Sequence, residues 1–290
     1  MKDGPPVRTV QSADGTSIGY YSLGDGPSVI LFGGAMRSAV DYMPLGEAMA
    51  ERTRVHVVDR RGRGCSGPLG PNYTIDRERE DLLAVQAATG ARSVFGHSYG
   101  GLVVLRAAAR TDVFDRIAVY EPGVSLGGSI RTDWLPRYQQ YLDHSDTRGA
   151  FAYFVQQSGH APKAVTHLPL WYLRCVMRLV VRGEQWERFE PLLPANLLEH
   201  QEVAACDGAV DEYAAIQARV LLLAGSRSPS SSGRQLVDAL RNLIPCATTS
   251  VLDGLDHNAP DEKAPVAVAD QVIPFFTSET ADVGRHQPSG

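Results

Sequence analysis

Short β-branched runs alternate with longer helical patterns through most of the chain. Val29–Phe32, Val55–Val58, Ser93–Phe95, Ile117–Tyr120, Val220–Ala224 and Thr249–Leu252 are strand-sized apolar stretches. Each gives way to Gly, Asp or Glu at its end. Between them lie helix-length segments: Tyr42–Arg52, Asp76–Thr89, Ser98–Arg110, Gly233–Leu243 and Pro265–Phe276. Continuous apolar strands separated by helices predict a mostly parallel, doubly wound sheet covered on both faces, an α/β fold. Upstream, Arg8–Gln11 and Ser17–Leu23 flank Asp14-Gly15, the signal of an antiparallel hairpin at a sheet edge.

The alternation stops between about Gly123 and Asp211. No strand-sized run occurs there, and Trp134–Leu142, Leu170–Val181 and Asn196–Ala205 carry helical patterns. The stretch therefore reads as a helical insertion. The resulting organisation is a core of 1–122 plus 212–277, an inserted helical unit of 123–211, and a frayed tail of 278–290. Ten aromatic residues fall in the insertion, among them Trp134, Phe154, Trp171 and Trp186. They suit either a subdomain core or an apolar wall for a ring-bearing ligand.

Composition narrows the class. The chain has 290 residues, 43% hydrophobic and 21% charged, with a net charge of -5. That length is ample for a large core without staples. A sequence pI of about 5.9 argues against a dedicated nucleic-acid surface, which needs a clustered positive field. Four dispersed cysteines form neither a disulfide framework nor a zinc ribbon, and no metal-ligand spacing occurs. The opening residues lack the apolar stretch of a signal peptide, and no apolar run approaches membrane-span length. The expectation is a cytoplasmic enzyme with no cofactor and no metal, acting on a small hydrophobic molecule rather than on a membrane or nucleic acid.

The chemistry-bearing motif is Gly96-His97-Ser98-Tyr99-Gly100, a G-x-S-x-G between a strand and a helix. A serine on so sharp a turn has strained backbone angles, and the flanking glycines remove the collisions that side chains would cause. Ser98 is then presented above the sheet at the positive end of a helix. Gly62–Gly67 matches a dinucleotide-binding G-x-G-x-x-G, but three residues separate it from the strand and prolines follow, so no helix opens there. Arg60, Arg61 and Arg63 read as a salt-bridged loop rather than a phosphate site. Ser226–Ser232 reads as a solvated loop.

At these residues the chain resembles the α/β-hydrolase superfamily, from about Asp25 to Phe276. Gly33-Gly34 looks like its oxyanion segment, with Phe32 where histidine is common. Asp59–Gly67 looks like its D-x-R-G-x-G-x-S turn, and Gly254-Leu255-Asp256-His257 like the loop carrying its histidine. The resemblance implies a helical cap for the insertion, Ser98 as nucleophile and His257 as base. His97 adjoins the nucleophile, but strand alternation should turn it away. The family's usual acid follows the strand Val220–Ala224, where Gly225-Ser226-Arg227-Ser228-Pro229 holds no carboxylate. Some members carry the acid one strand earlier, which here is Glu121; Asp253 and Asp256 are the alternatives. The oxyanion donors implied are the amides of Tyr99 and Gly34, with Ala35 as fallback.

The implied function is hydrolysis of a carboxylic ester, thioester or lactone through an acyl-enzyme. Acyl transfer, cyclisation or cofactor-free oxygenation on the same constellation is the alternative. A binding module without catalysis is a third reading, resting on the missing acid at 225–229.

Overall fold

The computed structural model describes residues 5–159, 163–229 and 233–278. The tail from 279, His160, His286 and Ser230–Ser232 lie outside the described residues. Eight strands form one sheet: β1 (Val7–Gln11), β2 (Ser17–Leu23), β3 (Ser28–Phe32), β4 (Arg54–Val58), β5 (Ser93–His97), β6 (Arg116–Tyr120), β7 (Arg219–Gly225) and β8 (Ala247–Leu252). Their spatial order is β1-β2-β4-β3-β5-β6-β7-β8. β1 pairs antiparallel with β2, and β2 antiparallel with β4; every other pair is parallel. This is the α/β-hydrolase fold, with the hairpin at its edge.

Both sheet faces are covered because successive strand residues point to opposite sides. Val29, Leu31, Val57, Phe95 and Tyr120 pack on one face with α1 (Met43–Met49) and α11 (Pro265–Thr277). Ile30, Phe32, Val94, Val119 and Leu222 pack on the other with α2 (Ile75–Thr89), α3 (Tyr99–Ala108) and α10 (Arg234–Leu243).

Among the described residues, six α-helices lie between β6 and β7: α4 (Leu135–Asp143), α5 (Thr147–Gln157), α6 (Lys163–Thr166), α7 (Leu170–Val180), α8 (Glu184–Phe189) and α9 (Leu193–Ala205). They bury an apolar cluster of their own, which includes Tyr138, Phe151, Trp186 and Leu193. Most of this segment's aromatics thus serve its own packing, while Trp171 and Tyr172 stand exposed. α9 begins three residues before the polar-apolar pattern suggests, because Pro194 sits in its first turn, where a missing N–H costs nothing.

No helix among the described residues is long and apolar enough to cross a membrane.

Candidate active site

β5 ends at His97, and the chain turns through Ser98 at φ 52° and ψ −124° before α3 begins. A non-glycine residue in that region is strained and persists only where its surroundings impose it. The imposing contacts are visible. Ser98 N–H donates to the Tyr120 carbonyl at 3.1 Å, and the Ser98 carbonyl accepts from Gly123 N–H at 2.8 Å. Glycine at 100 is required by close approach: a Cβ there would lie 2.3 Å from the carbonyl oxygen of Gly33.

Three side chains from separate strand ends meet above the sheet. The Ser98 hydroxyl lies 3.1 Å from Nε2 of His257. His257 Nδ1 lies 2.8 Å from Oε2 of Glu121. The other carboxylate oxygen of Glu121 accepts the Gly225 N–H at 2.8 Å. Glu121 is buried, and as a carboxylate it accepts on both oxygens, from the Gly225 amide and from His257 Nδ1. That places the His257 proton on Nδ1 and leaves the Nε2 lone pair facing the serine. Glu121 itself has φ 42°, a second strained position at the end of β6.

The strand end that lacks a carboxylate therefore supplies an amide instead. Gly225 closes β7, and a Cβ on it would lie 2.3 Å from the carbonyl of Leu255, in the loop that carries His257. Asp253 and Asp256 are engaged elsewhere. Asp253 accepts from the Ser226 hydroxyl at 3.0 Å; Asp256 accepts from Asn258 N–H at 3.0 Å and pairs with Lys263.

Of the two amides expected to hold an oxyanion, that of Gly34 already has a side-chain partner. The Gly34 N–H donates to the Tyr42 hydroxyl at 2.8 Å and is thereby occupied. Gly34 serves by being small: a Cβ there would lie 3.0 Å from Cβ of Ser98. The next amide, Ala35, makes no hydrogen bond among the described residues, and Tyr99 opens α3, where helix amides lack intrahelical partners.

The loop is anchored from behind. The Gly34 carbonyl accepts from Arg60 at 2.9 Å and from Arg63 at 3.4 Å. Arg60 also pairs with Glu78 at 2.6 Å and with Glu199 of α9 at 2.9 Å, and Arg63 pairs with Glu199. Burial pushes the Glu199 carboxyl up, but the two guanidiniums outweigh it and hold its titration below the usual range. Arg61 pairs with Asp81 at 2.7 Å and Asp14 at 2.9 Å. The arginine-rich turn is a buried ion-pair network tying the inserted helices to the loop beside Ser98.

A cavity of about 340 Å³ opens onto Ser98 and His257, with walls that include Met36, Ile130, Trp134, Phe154 and His200. His200 Nδ1 lies 2.8 Å from the Asn196 carbonyl, and burial holds its titration below the ordinary imidazole range. Among the described residues no group of three or more His, Cys, Asp or Glu is placed to hold a metal ion.

Residues 29–271 match the sequence profile of the alpha/beta hydrolase family. The chain belongs to that family. Among curated relatives of this alpha/beta hydrolase is a pimeloyl-[acyl-carrier protein] methyl ester esterase of Chromobacterium violaceum. It is 28% identical over 238 residues, spanning 77% of this chain and 85% of the relative. An alpha/beta hydrolase of Sphaerobacter thermophilus DSM 20745 superposes with a TM-score of 0.79 at 30% identity, covering 93% of this chain and all of that one. The enol-lactonase of Burkholderia xenovorans LB400 shares the fold at a TM-score of 0.69 and 22% identity, over 94% of this chain and all of the lactonase.

Several residues at the site escaped sequence reasoning. Tyr42, Gly225 and Glu199 carry no local motif. His97 ends β5 on the face it shares with Phe95, and its ring borders the cavity. The carboxylate-free loop after β7, with Glu121 one strand earlier, is the available signal for the Gly225–Glu121 contact.

Proposed function

We propose that this alpha/beta hydrolase is a serine hydrolase of carboxylic esters, thioesters or lactones. The observation that carries the reading is the hydrogen-bonded series Ser98–His257–Glu121 opening onto a cavity whose lining is mainly apolar. His257 Nε2 takes the Ser98 proton as Oγ attacks the carbonyl carbon. The developing oxyanion is held by the amides of Tyr99 and Ala35, in place of Gly34. Collapse of the tetrahedral intermediate expels the alcohol or thiol, which takes the proton from His257, and leaves an ester on Ser98. Water, deprotonated by His257, then releases the acid and restores the hydroxyl. Glu121 stabilises the imidazolium in both halves.

The inserted helices act in this reading as a cap, and Trp134 and Phe154 favour an apolar or ring-bearing acyl or alcohol group. The esterase and the lactonase named above agree with this reaction class. Against a binding module without catalysis stands Glu121, whose hydrogen bond to His257 supports it as the acid absent at 225–229.

The test is a panel of chromogenic esters and lactones graded in acyl length, assayed with wild type and Ser98→Ala. Turnover that disappears in Ser98→Ala supports the reading. Oxygen consumption or ester turnover that survives Ser98→Ala overturns it.

A further inference from the structure

We propose that Tyr42 and His97 form a fixed hydrogen-bond relay that positions the oxyanion loop and the His257 loop relative to each other. This rests on the catalytic reading of Ser98 and His257 given above, and adds two positioning residues to it.

The relay is continuous and its direction follows from chemistry. His97 Nε2 lies 2.9 Å from the main-chain carbonyl of His257, which can only accept, so Nε2 carries the proton. Nδ1 of the neutral ring is then an acceptor, and the Tyr42 hydroxyl, 2.6 Å away, donates to it. The Tyr42 oxygen in turn accepts the Gly34 N–H at 2.8 Å. The chain of donors thus runs from Gly34 through Tyr42 into His97, and from His97 to the His257 carbonyl. Every group in it keeps a partner only in this one tautomer. A protonated His97 would aim a second N–H at the Tyr42 oxygen and displace the phenol proton.

The rigidity of the parts makes the relay a spacer. Tyr42 and His97 are buried, and burial keeps the Tyr42 phenol protonated far above its ordinary range. The Tyr42 ring also packs on Gly33, where a Cβ would lie 2.3 Å from Cε2. His97 ends β5 on the face shared with Phe95, so its backbone is fixed by the sheet. One strand further, the Tyr120 hydroxyl donates to the Asp256 carbonyl at 2.9 Å. Two side chains at neighbouring strand ends therefore hold two consecutive carbonyls of the His257 loop, and His97 is linked through Tyr42 to the loop beside Ser98. The ring centroids of His97 and His257 are 4.9 Å apart, so a shift of either is felt by the other.

The consequence is that the distance between the oxyanion donors and the imidazole is set by Tyr42 and His97 rather than by substrate. Misplacement of reacting groups by about 1 Å can cost roughly 10²-fold in rate.

The test compares Tyr42→Phe, His97→Leu, His97→Gln and the Tyr42→Phe/His97→Leu double variant with wild type. The readouts are the rate of Ser98 phosphonylation by a fluorophosphonate and the kcat and KM of the best chromogenic ester. Expected is a fall of about 10- to 100-fold in labelling rate and kcat for Tyr42→Phe and His97→Leu, with KM little changed. The double variant should be no worse than the poorer single, because the two act as one unit. His97→Gln offers both a donor and an acceptor and should recover most of the rate. In ¹⁵N-histidine spectra of the whole protein, His97 should carry its proton on Nε2 in wild type. Unchanged rates in Tyr42→Phe, multiplicative losses in the double variant, or a proton on Nδ1 would overturn the relay. Failure of the hydrolase reading looks different: Ser98 would stay unlabelled in wild type, and the spectra would still decide the relay.

Discussion

Glu121 is clasped between an imidazole and an amide: one oxygen receives His257 Nδ1 at 2.8 Å, and the other receives Gly225 N–H at 2.8 Å. The strand that would ordinarily carry the acid thus keeps a stake in the site through its backbone. In the proposed reaction the clasp makes Glu121 the carboxylate that orients the histidine.

Glu121→Gln keeps the shape of the side chain but offers His257 an amide in place of an anion. Turnover of the best ester should fall by about 10⁴-fold, the scale of neutralising such an acid. Asp253→Asn and Asp256→Asn should stay within a few-fold of wild type. Near-normal turnover in Glu121→Gln, with loss in either aspartate variant, would reassign the acid.

Glu199→Gln removes the carboxylate that Arg60 and Arg63 share, and leaves Glu78 alone to face the two buried guanidiniums. Breaking such a network costs about 3–5 kcal/mol. Denaturant titration should show that loss, and catalysis should weaken with it, since Arg60 and Arg63 also hold the Gly34 carbonyl.

Gly100→Ala introduces a methyl group 2.3 Å from the Gly33 carbonyl, so α3 or β3 must shift. Overpacking of this kind costs about 1–3 kcal/mol. The movement falls on Ser98, so kcat should drop more than KM rises when the purified variant is assayed.

His56 supplies a pH signature remote from the chemistry. Burial, with smaller contributions from Arg54 and Arg8, pushes its titration down to about 4. Its Nδ1 lies 3.0 Å from the Ser22 hydroxyl, and its Nε2 is buried without a partner. The unfolded chain takes up this proton near the ordinary value of about 6.5. Between pH 6.5 and 4 the unfolded state therefore binds more protons, so stability falls as pH falls, by up to about 3 kcal/mol at the acid end. Urea titrations from pH 7 to 4 should show this slope, and His56→Phe should flatten it.

Much of the architecture is legible in the sequence. Val29–Phe32 and Val220–Ala224 are apolar on both sides because helices cover both faces, and the Asp14-Gly15 turn marks the hairpin. Ser98 was legible because its glycines answer a local backbone demand, and His257 because it follows the last strand. Glu121 emerged from a departure, the empty loop after β7. What stayed hidden depends on contacts distant in the chain or on side chains that carry no motif. Nothing near Gly34 reveals that Tyr42 takes its amide, and nothing near Arg60 reveals Glu199, 139 residues on. The aromatics of 123–211 could not be divided between core and cavity by pattern alone; Phe151 and Trp186 pack inward, whereas Trp134 and Phe154 also face the cavity.

The most direct single measurement is mass spectrometry of the chain quenched within milliseconds of mixing with a chromogenic ester. A mass gain equal to the acyl group, on the peptide bearing Ser98 and absent in His257→Ala, is the expected result. Ester turnover in which that peptide never gains mass, or gains it equally without the imidazole, would contradict the proposed chemistry.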